Sequence, residues 1–444
     1  MYPRVLAIAT TTALFLTGCS SNAPSSRASL AATSAMKQAN VQWWRQLGDP
    51  SLNSDIQSAF SNNPDLKSVA LRIDQAEASV ANAHAAMLPS LNLGFGYSEG
   101  RRKNIDFGPY SLAPWETGGN LSWEIDITGK LRAAKRASVA NTEAAIWDYQ
   151  SAKLLLSSRI AATRLNLYRF NAEIASLNES LEASRDTLST LTERNKAGII
   201  ANSAVSNQRA ENEKIKRLQL DLTRLRDLTV VQLRTLRGGS QTGNSSKDSF
   251  PSFDSPSSKP LNKVLALHPS LLAAEAKIRA AFRMEDAARL DLLPSFKINA
   301  LASGRTNSLT NRYLTWGTTV GPSLDIPIYD PARLAALKAR KVQSSSAASN
   351  YKATVLKVLE EIDTANINLR SRQAQLATVQ REVSEIKTTR DYAREQFDAG
   401  LTSQIEYLDA ERRWLEAKRS AITLQQSTLN SRIDLIKAIG GGIL

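Results

Sequence analysis

Cysteine occurs once in these 444 residues, at position 19, and histidine twice, at positions 84 and 268. One thiol builds neither a disulfide framework nor a thiolate metal site. His84 lies inside a helical stretch and His268 directly before a helix-starting proline, far from each other in sequence and in no recognisable catalytic motif. No catalytic residue and no metal ligand is therefore assigned, and no cofactor is expected. Aromatic residues are also scarce, 6% against a hydrophobic fraction of 42%. The apolar content is mostly Ala, Leu, Ile and Val, which suits long helices packed closely over small side chains. Beyond the start of the chain, no run approaches the ~20 apolar residues a membrane helix needs. If the chain crosses a membrane, it does so as strands.

Basic residues are in excess, giving a formal net charge of +14. They are interleaved with Glu and Asp, as in Lys214 to Asp227 and Arg381 to Glu395, the pattern of a solvated helix surface. With no zinc-knuckle, RNP or basic-region pattern, nucleic acid is not an expected partner.

At the start, Arg4 precedes a short apolar stretch from Val5 to Leu16, too short to span a bilayer and followed by Ser, Asn, Ala and Pro. Residues 1–18 read as a cleaved export signal. The stretch Leu16-Thr17-Gly18-Cys19 resembles the lipobox of a bacterial lipoprotein. That resemblance implies a mature chain beginning at Cys19, with diacylglycerol on its thiol and a third acyl chain on its amine. Several chains, each contributing about 0.8 kcal/mol per buried CH₂, anchor a protein firmly. Ser20 in the following position, rather than Asp, implies the outer membrane. A plain secretory signal is the alternative, but it leaves a lone thiol in an exported chain.

The chain then contains itself twice. Asn63-Pro64-Asp65-Leu66 is echoed by His268-Pro269-Ser270-Leu271, and Leu88-Pro89-Ser90 by Leu293-Pro294-Ser295, each 205 residues on. Ala197-Gly198-Ile199 and Ala399-Gly400-Leu401 stand 202 apart, so small insertions separate the copies. A unit of this length exceeds ordinary solenoid repeats and is a duplicated half-protein. The expected organisation is a signal over 1–18, a lipid-anchored segment over 19–62, a first repeat over 63–237, a Gly/Ser/Pro-rich linker in the equatorial region over 238–262, a second repeat over 263–439 and a tail over 440–444.

Each repeat opens with a helical stretch, Asp65 to Met87 or Ser270 to Leu292, and the period then changes from helical to two. Leu91, Leu93, Phe95 and Tyr97 alternate with small or polar residues, as do Leu121, Trp123, Ile125 and Ile127 after a turn-rich loop. Phe296, Ile298, Ala300 and Ala302, then Trp316, Thr318, Val320, Leu324, Ile326 and Ile328, repeat the device, with Trp123 and Trp316 expected in matching positions. These segments have the roughly 9–11-residue length of tilted membrane strands. Four strands cannot close a membrane barrel, so the barrel must be shared between chains; soluble hairpins are the alternative. Long helices follow, Lys130 to about Asn195 and Pro331 to about Phe397, without internal Gly and with no Pro past the first turn. Heptad-spaced Ile174, Leu177, Leu181, Leu188 and Leu191, and Leu376, Val379, Val383 and Ile386, face antiparallel partners carrying Ile215, Leu218, Leu222 and Leu225, or Ile405, Leu408 and Leu415. The fold class is mainly α with membrane β-strands.

With these residues assembled, the chain resembles the outer-membrane factors of the TolC superfamily, in the lipidated NodT-like branch. The resemblance covers nearly all of the mature chain. It rests on Trp43-Trp44-Arg45-Gln46-Leu47-Gly48-Asp49-Pro50, Asn63-Pro64-Asp65-Leu66, Leu88-Pro89-Ser90, Trp123-Glu124-Ile125-Asp126, Pro327-Ile328-Tyr329-Asp330 and Gly440-Gly441-Gly442. It implies a homotrimer in which three chains give four strands each to a 12-stranded β-barrel while their helices form an α-barrel through the periplasm. It further implies a passive exit duct that meets a periplasmic adaptor and an inner-membrane pump of resistance-nodulation-division, major facilitator or ABC type. The tips Gly198, Ile199, Gly400, Leu401, Thr402 and Ser403 would touch the adaptor. The segment after Gly400 would form the periplasmic gate, with acidic rings at Glu406 and Asp409, a hydrophobic ring at Ile405 and ion pairing by Arg412. By spacing alone, Ile405, Leu408, Arg412 and Leu415 share one helix seam, Asp409 and Arg412 form an i to i+3 pair, and clustered acids raise each other's pKa. Ser206, Arg209 and Asn212 stand at the corresponding first-repeat positions, so the acidic pair belongs to the second repeat alone. Arg101-Arg102-Lys103 in the outer loop read as solvated. Small-molecule efflux of drugs or metals is the expected function; a type I protein-secretion duct and a non-conducting coiled-coil lipoprotein are the alternatives.

Overall fold

A computed structural model describes residues 42–97, 101–104, 108–111, 115–239, 250–251, 261–306 and 315–441. The export signal, Cys19, most of the linker and residues 442–444 lie outside the described residues. A short 3-10 turn, Trp43–Leu47, leads into α1 (Pro50–Asn62) and α2 (Pro64–Ala85), followed by β1 (Ser90–Tyr97), β2 (Arg101–Asn104), β3 (Gly108–Ser111) and β4 (Trp115–Ile125). Helices α3 (Lys130–Lys196) and α4 (Asn202–Leu236) complete the first repeat, and α5 (Leu261–Leu267) precedes the second. That repeat comprises α6 (Pro269–Leu290), β5 (Ser295–Thr306), β6 (Thr315–Asp325), α7 (Pro331–Asp398) and α8 (Gln404–Ala438).

Local chemistry sets the helix ends. Prolines 50, 64, 269 and 331 occupy first turns, where a missing N–H costs nothing. Asp49, Asn63 and Asp330 cap three of these helices, accepting from Ser51 N at 2.9 Å, Leu66 N at 2.9 Å and Ala332 N at 3.0 Å. Asp330 thus makes the strand-to-helix turn with a carboxylate cap and a proline. Helices α3 and α7 run 67 and 68 residues, about 100 Å at 1.5 Å per residue. Both end at a glycine in the left-handed region, Gly198 at φ 73° and Gly400 at φ 77°. The Ile199 and Leu401 amides bond back to the Arg194 and Gln396 carbonyls at 2.9 and 2.8 Å, closing each helix and aiming the chain into its antiparallel return.

The four long strands form one antiparallel sheet in the order β1-β4-β5-β6, while β2 and β3 pair separately. Register puts every expected membrane residue on one face. Leu91 opposes Leu121, Leu121 opposes Ala300 and Ala300 opposes Val320; Trp123 opposes Ile298; Ile125 opposes Phe296; Tyr97 opposes Trp115; and Trp316 opposes Gly304. Leu93 and Phe95 share that face by alternation. The other face carries Ser122 bonded to Asn299 at 3.1 Å, Asn299 to Ser323 at 2.9 Å, and a Glu116–Arg305 ion pair at 2.9 Å. One detail differs from the sequence reading. Strand β4 starts at Trp115 rather than near Leu121, so Trp123 lies at the helix-proximal end of its strand and Trp316 at the far end of β6. Thr117-Gly118-Gly119 breaks the apolar alternation and hides the start of β4. Ile127, Ile326 and Ile328 lie beyond the strand ends.

Helical packing follows the heptads. Phe170, Leu177, Leu181, Ile215 and Leu222 form one buried cluster, with Ile174, Leu218, Leu225 and Leu415 against it. Leu376, Val379, Val383 and Ile386 on α7 are only half-buried. A larger core gathers Trp43, Trp44, Leu47, Leu52 and Ile56 with Ile160, Leu165, Leu233, Ile433 and Ile436. The segment preceding the first repeat is therefore wedged among α3, α4 and α8.

Candidate gate and tunnel surface

Helix α8 begins in a capping box. Ser403 Oγ accepts from Glu406 N at 3.3 Å, and Glu406 Oε2 accepts from Ser403 N at 3.4 Å. Thr402 also donates to Glu406. That hydroxyl, then the Ser403 amide, holds the exposed Glu406 carboxyl of the single chain below its ordinary pKa.

The second correction concerns pairing. Asp409 does not meet Arg412; it pairs with Arg413 one turn on at 2.7 Å. Arg412 reaches across to α4 instead, with Nη2 3.1 Å and Nε 3.3 Å from Glu211 Oε2. Gln404 makes a parallel link, donating to the Ala204 carbonyl at 3.3 Å and Gln208 Oε1 at 3.4 Å. The third correction concerns the seam. Tyr407, Leu408 and Ala410 are buried and Leu415 packs in the core, but Ile405 is 75% exposed and Arg412 lies on the outer side with Asp409. At 3.6 residues per turn, positions 405, 409 and 412 drift off a strict coiled-coil seam and define a separate face.

Behind that face stands a buried polar layer. Tyr407 stacks on Phe397 with centroids 5.2 Å apart, and burial raises its hydroxyl's pKa. Burial likewise raises Glu411, opposed by Arg390 and Arg394, with Arg390 3.9 Å away and lying over the Trp414 ring. The first-repeat counterpart Asn212 is buried and accepts from Ser184. At the tips, Gly198, Ile199, Gly400, Leu401 and Ser403 are exposed and Thr402 is half-buried.

Sequence reasoning missed a second constellation. Asp49 and Asp55 meet Arg164 of α3 and Arg237 after α4 in the buried equatorial core: Arg164–Asp55 at 2.8 Å, Arg237–Asp55 at 3.1 Å and Arg164–Asp49 at 3.9 Å. Tyr168 donates to Asp49. Burial pushes the Tyr168 hydroxyl up to about 12 and raises Asp55 against the pull of both arginines. Asp49-Pro50 carried a helix-cap signal, whereas the arginines 109 and 182 positions beyond Asp55 carried none.

A duplicated helical hairpin with a four-stranded sheet, apolar on one face, defines the outer-membrane channel class. The outer membrane efflux protein family model matches residues 56–239 and 261–441, and the chain belongs to that family. The pyoverdine export outer membrane protein OpmQ of Pseudomonas aeruginosa is 27% identical, covering 90% of this chain and 87% of the relative. The probable outer membrane lipoprotein SilC of Salmonella typhimurium is 24% identical over 90% and 88%. The cation efflux system protein CusC of Escherichia coli K12 is 24% identical over 91% and 89%. A solved CusC structure superposes with a TM-score of 0.78 at 22% identity, covering 89% of this chain and 93% of that one. The protein is an outer-membrane efflux duct, with a transport role and no enzymatic one.

Proposed function

We propose that three copies of this chain, anchored through lipid on Cys19, form a continuous duct for small molecules, supplied by an inner-membrane pump through a periplasmic adaptor. The observation that carries this reading is the sheet. Its outer strands β1 and β6 have no partner on their far edges among the described residues, and Leu93, Phe95, Trp316 and Val320 on its apolar face stand exposed. Unpaired edges are not tolerated in lipid, and closure by further copies removes them. Exposed apolar residues Leu334, Val342, Leu356 and Ile367 along α7 support the same closure for the helical wall. The tips at Gly198–Ile199 and Gly400–Ser403 meet the adaptor. Ile405, Glu406, Asp409 and Arg412 line the resting gate, with the Arg412–Glu211 pair holding the two hairpins together until the adaptor parts them.

Relatives named for pyoverdine and for cations leave two cargo classes in view. The deciding experiment compares a deletion strain with its complemented parent, measuring cellular retention of dyes, drugs and metals alongside the secreted proteins. Retained small molecules with an unchanged secretome establish the efflux duct. A missing exoprotein with normal retention replaces it with protein secretion.

A further inference from the structure

The gate face of α8 does not stop at Arg412. Glu416, Ser420, Thr423 and Ser427 continue the three- and four-residue spacing of Ile405, Asp409 and Arg412, so they lie on the same side of the helix. Thr423 is 11 residues past Arg412, about 17 Å farther along. Here α7 and α8 flank a groove of about 780 Å³, lined from α7 by Arg372 and Thr378 and from α8 by Glu416, Arg419, Thr423 and Ser427.

The charge of this groove is unbalanced. Arg372 donates to Gln375 Oε1 at 3.2 Å, a neutral acceptor, and forms no ion pair among the described residues. Arg419 faces Glu173 of α3 at 3.5 Å, but that carboxylate, only 3% exposed, also faces Arg169 at 3.6 Å and accepts from Thr423 at 3.3 Å. One buried acid behind the groove is divided between two guanidiniums, and among the described lining residues Glu416 is the one acid. What remains is the Arg372 guanidinium with no carboxylate partner among the described residues, the Ser420 hydroxyl and two aliphatic side chains, Val379 and Leu424; the Thr378, Thr423 and Ser427 hydroxyls donate to the Ala374 carbonyl, Glu173 and the Thr423 carbonyl. The lining has no thiolate, thioether or imidazole, and no cluster of three metal-ligating side chains occurs among the described residues. A planar guanidinium beside a hydroxyl suits a carboxylate.

We propose that this groove is a binding site for small organic carboxylates inside the duct, one stage beyond the gate. The lumenal placement rests on the gate reading; the binding chemistry does not. The test uses the detergent-solubilised full-length protein in equilibrium dialysis against salicylate, with salicylamide as its uncharged analogue. Salicylate should be retained and salicylamide not, and Arg372→Gln should weaken retention about tenfold, the scale of one charge-assisted contact. Arg372 is exposed and makes no ion pair, so its replacement leaves the fold intact; Ser420→Ala, a milder change, should weaken retention less. Equal retention of both probes, or unchanged retention by Arg372→Gln, overturns the proposal. Because dialysis involves no conduction, a failure of the gate reading would show separately in bilayer recordings.

Discussion

Arg412 and Glu211 tie the second hairpin to the first where a gate must both hold and release. Arg412 is about half exposed, so the pair is screened and contributes up to about 1 kcal/mol. Per hairpin, that shifts a closed-to-open ratio by up to about fivefold, enough to bias a gate and little enough for an adaptor to overcome. Arg412→Ala and Glu211→Gln should each raise resting conductance of purified trimers in planar bilayers; conductance unchanged in both removes the pair from the gate. The sequence shows an unusual cation at 412 but not its partner, because Glu211 is separated by 201 positions and cross-hairpin register has no local signature. His268 is a second residue-level case. Only 5% exposed, it lies where a side chain on Gly440 would crowd it, and burial holds its imidazole down to about 4 from an ordinary 6.5. Between those values the unfolded chain binds a proton that the folded one refuses, so stability falls as pH drops through this window, by about 3 kcal/mol in full. His268→Asn, the residue that caps the first repeat at Asn63, should flatten the loss of melting temperature between pH 7 and pH 4.5. An equally steep loss in the variant would show that other groups dominate.

At the scale of elements, the helices were the most legible part. Proline first turns, carboxylate and amide caps and the two left-handed glycines fix their ends to within a residue or two, since these signals act over a single turn. Helix α1 was less legible. Its caps are visible, but its role comes from Asp55, whose partners arrive from elsewhere, Arg164 from α3 and Arg237 from just past the end of α4, and are almost wholly buried with it. Asp55→Ala would leave Arg164 facing only Asp49 and Arg237 with no carboxylate among the described residues, and removing one partner from such a cluster costs about 3–5 kcal/mol. We expect the variant to lose thermal stability and to release the segment around α1 to protease, whereas Asp65→Ala on the exposed surface of α2 should do neither. Equal protease sensitivity in the two variants would mean that α1 is held by the Trp43 and Ile56 packing alone.

For the whole molecule, the sequence exposed the duplication and the alternation of the strands, while sheet order and the start of β4 required pairing to be seen. The two faces of that sheet demand opposite environments, and this asymmetry makes the shared barrel testable. Val320 lies near the middle of β6 on the apolar face, 75% exposed in the single chain, opposite Ala300. Ser323, three residues on, faces the polar side, accepting from Asn299 at 2.9 Å. If the apolar face meets lipid, arginine at 320 costs about 2–4 kcal/mol per chain near the bilayer midplane, and three chains in one barrel multiply the penalty. Arginine at 323 points instead into a polar lumen. Val320→Arg should therefore abolish assembly of heat-labile oligomers in the outer-membrane fraction, and Ser323→Arg should leave them intact while lowering conductance. The reverse ranking would turn the barrel inside out, and equal tolerance of both would remove the sheet from the membrane.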